Sequence, residues 1–358
     1  MTKWMLLPVL FAALTAGSAR AADVSSLIFY DFTHDATEGG TADGAFNLGR
    51  AYLTATGAPS EQIAYKIQFD AGMLKTYSLK SGTTSVTDSD GDTVAINTYS
   101  LSGADAGYYL YVKNAYVDWT NSLGKWTIGM QGMNMFNVQE ATFGNRFVEK
   151  PLMDIHGFSS SADMGLGYAR EFGLLKASLL YTNGTGYKKA ENDKYKKLSV
   201  QLATGETALN KKDGWNAGLV YSMEPVSADD SKSVLGLFGG WAGMGLRAGL
   251  EFDTKTTTGA TDLTEQIIGL YGDYKLSFAP GLSVFGSLDM YDPNTDDVTD
   301  NAGTPLDESK NNETGIILGL KYAPVKGLVI APNLKTIAYE DSDRDALTYY
   351  RINFELKI

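Results

Sequence analysis

Almost every stretch of this chain alternates between apolar and polar residues. In EQIAYKIQFDAG, Ile63, Tyr65, Ile67, Phe69 and Ala71 fall on one side, and Gln62, Lys66, Gln68 and Asp70 on the other. GWNAGLVYSM groups Trp215, Ala217, Leu219 and Tyr221, and GLRAGLEFD sets Leu246, Ala248, Leu250 and Phe252 opposite Arg247, Glu251 and Asp253. The chain stops on the same pattern: in TYYRINFELKI, Tyr350, Ile352, Phe354, Leu356 and Ile358 oppose Arg351, Asn353, Glu355 and Lys357. A period of two marks strands with one apolar face and one polar face. No helical stripe of any length competes with it.

The pattern predicts sixteen strands, at 26–33, 45–57, 62–72, 108–119, 125–132, 162–171, 174–184, 195–204, 214–224, 232–241, 244–255, 263–277, 282–291, 313–323, 327–340 and 347–357. Counts of fourteen or eighteen also fit the boundaries. The connections alternate in length. Those at 58–61, 120–124, 172–173, 242–243, 278–281 and 324–326 are tight, and those at 73–107, 133–161 and 292–312 are long and polar. With both termini at one end, the tight turns share that end. ETALNKKDG at 205–213 is the one long turn there. A soluble sandwich gives no reason for loop length to flip between ends. The expected fold is all-β: a transmembrane antiparallel β-barrel with short periplasmic turns and long extracellular loops. Closing the last strand on the first satisfies every backbone group in lipid.

MTKWMLLPVLFAALTAGSARA has the form of an export signal: Lys3, an apolar run too short to span a bilayer, then Ala19-Arg20-Ala21. The expected division is a signal peptide at 1–21 and a barrel at 22–358. Losing Lys3 and Arg20 takes the formal charge from −12 to −14, which argues against nucleic acid as a partner. With no cysteine and only His34 and His156, a zinc or iron site and a cofactor are not expected. Trp119, Trp126, Trp215, Trp241 and Tyr350, near strand ends, suit interfacial aromatic girdles. The outer-membrane lipids and lipopolysaccharide are the expected surroundings.

RAYLTATGAPSEQIAYKIQFDAG resembles the early hairpin of the phosphate-selective porin O/P-like family. LYVKNAYVDWTNSLGKWTIGMQGMNMFNVQEATFGNRFVEKPLMD resembles the next hairpin of that family with its inward loop, ending here in Phe147-Val148-Glu149-Lys150-Pro151-Leu152. The resemblance covers about Arg50 to Tyr181. It implies a 16-stranded general or anion-preferring porin, often trimeric, with the third extracellular loop folded into the lumen. Two features depart from a phosphate channel: the acidic composition, and basic residues interleaved with acids.

A pore is selective through its width and the charges at its narrowest section. On the strands, the polar face offers Arg50, Lys66, Asp70, Asp118, Arg247, Glu251, Asp273, Lys275, Lys321, Lys335, Arg351 and Glu355. Each also serves simply to keep the wall wet. The second source is the loop near 133–161. Its Met135, Phe136, Val138, Phe143, Phe147, Leu152 and Phe158 suit a segment packed on an inner wall. Glu140, Arg146, Glu149, Lys150 and Asp154 would then narrow the channel; packing over a neighbouring subunit is the alternative. Asp88-Ser89-Asp90-Gly91-Asp92 lacks the twelfth-position glutamate of a calcium loop, having Tyr99 there. This turn, with Asp292, Asp296, Asp297 and Asp300, could hold divalent ions that bridge lipopolysaccharide. No G-x-S-x-G elbow, Rossmann or P-loop pattern is present. The expected function is passive diffusion of small hydrophilic solutes. The alternatives are an anion or phosphate channel, a plugged structural or adhesive barrel, or a barrel enzyme.

Overall fold

A computed structural model describes residues 22–40, 43–87, 93–259, 262–295 and 312–358, with side chains described outside 73–106. The export signal at 1–21, the aspartate turn at 88–92, and Asp296, Asp297 and Asp300 lie outside the described residues. The strands are β1 (Asp23–Asp35), β2 (Gly44–Gly57), β3 (Ile63–Thr87), β4 (Thr93–Asn121), β5 (Gly124–Gly132), β6 (Ala162–Phe172), β7 (Leu175–Thr182) and β8 (Lys197–Gly205). They continue as β9 (Gly214–Pro225), β10 (Ser231–Gly243), β11 (Leu246–Thr258), β12 (Leu263–Lys275), β13 (Leu282–Asp292), β14 (Glu313–Val325), β15 (Leu328–Tyr339) and β16 (Leu347–Lys357). Two short helices, α1 (Asn137–Phe143) and α2 (Leu152–Ile155), lie between β5 and β6.

Each strand pairs with the next, and β16 pairs antiparallel with β1 from Leu27↔Lys357 to Asp35↔Tyr349, closing a sixteen-stranded barrel. Closure leaves no open sheet edge around the wall. The alternation points outward as expected: Leu250, Leu270 and Leu318 are each more than half exposed, a surface that water would penalise and lipid would not. At the tight-turn end, Trp119 pairs across the ladder with Trp126, Trp126 packs on Tyr168 at 4.7 Å, and Trp215 pairs with Trp241.

One expected loop is strand. The backbone of 73–107 continues β3 and β4, which pair register by register up to Thr87↔Thr93. Beyond the stretch where β2 and β5 pair with them, these two strands pair only with each other. The sequence there holds six Thr, with Val86, Val94, Ile96, Tyr77 and Tyr99, residues that favour strands. A hairpin standing clear of the wall has no lipid side, so it carries no apolar alternation to read.

Two bulges adjust which side chains face inward. Gln68 pairs with Asn114 but Phe69 with Val112, leaving Lys113 as the extra residue. Phe29 pairs with Arg50 but Tyr30 with Leu48, leaving Gly49.

Candidate functional site

The segment from Met133 to Ser161 runs inside the barrel, and its partners follow the wall strand by strand. Asn134 donates to Ser178 Oγ at 2.9 Å on β7 and accepts from Ser199 Oγ at 2.8 Å on β8. Gln201 of β8 donates to the Asn134 carbonyl and to Asn137 Oδ1, both at 2.6 Å. Asn216 of β9 donates to Thr142 at 3.1 Å, and Arg247 of β11 to the Phe143 carbonyl at 3.0 Å. Lys321 of β14 donates to Asn145 at 2.9 Å and also pairs with Asp273 of β12. Asn353 of β16 donates to the Phe147 carbonyl at 3.2 Å. Glu149 then takes Lys335 of β15 at 2.7 Å and Arg351 of β16 at 3.2 Å. The path turns back at α2, where His156 meets Asp289 of β13 at 2.8 Å and stacks on Tyr291 at 3.9 Å.

Apolar contacts hold the same course. Met135, Phe136, Val138, Leu152, Met153 and Phe158 pack on Ala203, Val220, Val234, Phe238 and Ile267 of the inner wall. Phe147 and Val148 pack on Phe29, Phe285, Ile317 and Ala331. Each such large side chain contributes about 1.5–3 kcal/mol on burial. Gly144 ends α1 in the left-handed region (φ 65°), donating its N–H to the Glu140 carbonyl. A β-carbon there would sit 2.5 Å from the Arg247 guanidinium, so only glycine allows both the turn and the arginine.

The segment leaves open space beside β1–β4 and β16. Toward the long-loop end lies a chamber of 430 Å³, lined by Arg50, Arg146, Lys150, Lys335 and Arg351 against Asp31 and Glu149. Toward the tight-turn end lies one of 470 Å³, whose charged residues are Lys66, Lys113, Arg146 and Lys357 against Glu140 and Glu355. Phe29 and Arg146 line both and so mark the junction. Basic groups outnumber acids in each chamber, although the chain carries a formal charge of −12.

Of the residues expected at a pore, Arg50, Arg146, Glu149, Lys150 and Arg351 meet in the first chamber, and Lys66, Glu140 and Arg146 in the second. Arg50 pairs with the fully buried Asp70 at 2.6 Å, which also accepts from Tyr111 at 2.8 Å. Arg146 is held at 3.1 Å by both Glu140 and Asp154. Asp118 stands apart, accepting from Thr127 at 2.6 Å in a third, polar chamber of 800 Å³. Arg247 is engaged with the inward segment and lies 3.6 Å from Asp273. Burial alone would raise the Glu149 pKa. The Lys335 and Arg351 charges, with hydrogen bonds from Lys335 and the Lys150 amide, outweigh it and hold Glu149 below the ordinary glutamate value.

Lys113 was not among the expected residues. Its ammonium is buried, donates to Tyr52 Oη at 2.7 Å and faces the Tyr52 and Tyr187 rings at 4.8 and 5.6 Å. The consecutive polar pair Lys113-Asn114 in an otherwise alternating strand is the trace of the bulge that turns both inward.

No family model matches the chain, and no curated protein matches it. Solved structures do match in fold. The anion-selective porin from Comamonas acidovorans superposes with a TM-score of 0.62 at 11% identity, covering 94% of this chain and 99% of that one. OmpF of Salmonella typhi, solved in complex with daunomycin, gives 0.61 at 12%, covering 94% and 97%. The trimer form of in-vitro folded OmpT, an outer membrane protein of Vibrio cholerae, gives 0.59 at 12%, covering 94% and 99%. The chain therefore has the fold of outer-membrane porins, a closed sixteen-stranded barrel.

Proposed function

We propose that this chain is an outer-membrane porin passing small hydrophilic solutes by passive diffusion, with a preference for anions. On this reading residues 1–21 are the export signal, 22–358 the barrel, and the segment near 133–161 the constriction. Arg50, Lys66, Glu140, Arg146, Glu149, Lys150 and Arg351 set the local field, and Asp70, Asp154 and Arg247 hold those groups and the segment in place. Asp118 lines the wider space at the tight-turn end. The barrel sits among outer-membrane lipids and lipopolysaccharide, as a homotrimer. It has no catalytic step and no cofactor.

The observation that carries the reading is the basic excess at both chambers of an acidic protein. Charges around a narrow aqueous path bias which ions pass, whatever the net charge elsewhere. The preference is not extended to phosphate, because Glu140, Glu149 and Asp154 break the basic groups into pairs. The test is the reversal potential of single channels in a potassium chloride gradient. A shift toward the chloride potential is expected. A shift toward the potassium potential refutes anion preference, and silence in the bilayer refutes the pore.

A further inference from the structure

The tight-turn chamber of 470 Å³ holds its cations in two ways. Arg146 is neutralised by Glu140 and Asp154, and Lys357 by Glu355 at 2.7 Å. Lys66 and Lys113 line the same chamber, and no acid forms an ion pair with either among the described residues. Asp70 and Glu140, the acids on this part of the wall, are taken by Arg50 and Arg146. Lys66 is partly exposed. Lys113 keeps 8% of its surface open, and its hydrogen bond is to the uncharged Tyr52 hydroxyl. The ladder fixes how the two lysines are spaced. Lys66 stands opposite Tyr116, and the next inward pair toward the long-loop end is Gln68 with Asn114. Lys113 is the bulge residue just beyond, so the two α-carbons lie about 7–10 Å apart. Asn114 donates to Gln68 at 2.7 Å, and Gln68 donates to Thr54 at 2.8 Å. An amide pair already bonded to its neighbours therefore stands between the two lysines and keeps their ammoniums from closing on one small oxyanion. Leu27 and Ala141, both partly exposed, add apolar surface to the chamber.

We propose that Lys66 and Lys113 form a two-point site for short dicarboxylates, with one carboxylate on each ammonium and the carbon chain between them. Each end then makes charge-assisted hydrogen bonds to a cation that the protein itself leaves without a counter-charge. A halide or a monocarboxylate engages one lysine at a time. Sulfate carries two charges but is too compact to reach both. The inference deepens the anion-preferring pore reading and rests on it for the solute's route: the passage holds one class of anion longer than others.

The test is saturation-transfer NMR of fumarate with the refolded full chain in detergent, at about pH 6.5, where both carboxyls are ionised. The competitors are crotonate, which has the same carbon skeleton with one carboxylate, and sulfate. Saturable fumarate binding is expected, with each competitor at least about tenfold weaker, and with at least about a tenfold loss in Lys66→Gln and in Lys113→Gln. The variants are read independently, so misfolding of one leaves the other decisive, and the competitor comparison needs neither. Absence of saturable fumarate binding, a smaller difference from either competitor, or parent-like binding by either folded variant overturns the proposal. Reversal potentials in the bilayer are scored separately. A channel that prefers chloride but binds no fumarate refutes this site alone, and fumarate binding by a silent or cation-preferring channel refutes the pore reading alone.

Discussion

Glu149 is the acid whose removal should alter selectivity most cleanly. It lies between Lys335 and Arg351, 2.7 and 3.2 Å away, and it is one of two acids facing five basic groups in the long-loop chamber. Glu149→Gln keeps the volume and removes one negative charge. A chamber of 430 Å³ corresponds to a sphere of about 5 Å radius, so a central ion ~6 Å from the carboxylate interacts with it by ~0.7 kcal/mol at the dielectric of water. Screening at about 0.1 M salt roughly halves that. The remainder raises anion occupancy and lowers cation occupancy by just under about twofold each, so the anion-to-cation permeability ratio should rise about threefold. The assay is the reversal potential of single channels in a salt gradient, variant against parent. An unchanged ratio, or a shift toward cations, would refute the assignment of Glu149 to the conducting path.

The same carboxylate sets a pH dependence. Its folded pKa is depressed, so its stabilisation is fully present above the unfolded value of about 4.3 and is lost as pH falls through the lower folded value. In the parent, channel noise from a loosened segment should therefore appear only below about pH 4; in Glu149→Gln, neutral at every pH, it should be present throughout with no acid transition. Arg146→Ala, at the junction of the chambers, should raise conductance and lower the anion-to-cation ratio by about threefold, on the same Coulomb reasoning; single-channel recording checks both. Gly144→Val should cost about 1–2 kcal/mol in backbone strain alone and displace Arg247, lowering the thermal midpoint and raising current noise.

The barrel was legible because lipid imposes one rule on every strand: the outward side must be apolar. The inner side obeys no single rule, and there the reading thins. Where the inward segment covers the wall, Val220, Val234, Phe238 and Ile267 face in and are buried. A stretch such as SVLGLFGGWAG is consequently apolar at both parities. The loop's composition announced that it packs against something. It did not announce that Glu149 meets Arg351, or His156 meets Asp289, because those partners lie 202 and 133 residues away. Lys113 was hidden by a one-residue bulge that alternation does not count through. The β3–β4 hairpin was missed because, clear of lipid, it has no reason to alternate.

The path of the inward segment also orders events in time. It is made between β5 and β6, and its first anchors, Ser178, Ser199 and Gln201, follow Asn134 by 44, 65 and 67 residues. Its last anchors, Lys335, Arg351 and Asn353, follow their partners by 186, 202 and 206. Contacts at such separation carry a large loop-closure cost and form late. The half of the segment around Phe147 and Glu149 lacks its ion pairs, and the Asn353 hydrogen bond, until β15 and β16 are in place. On the proposed pore reading, the last strands close the wall and complete the charge lining of the passage together, so a barrel interrupted before them is also one whose bore has not yet been set.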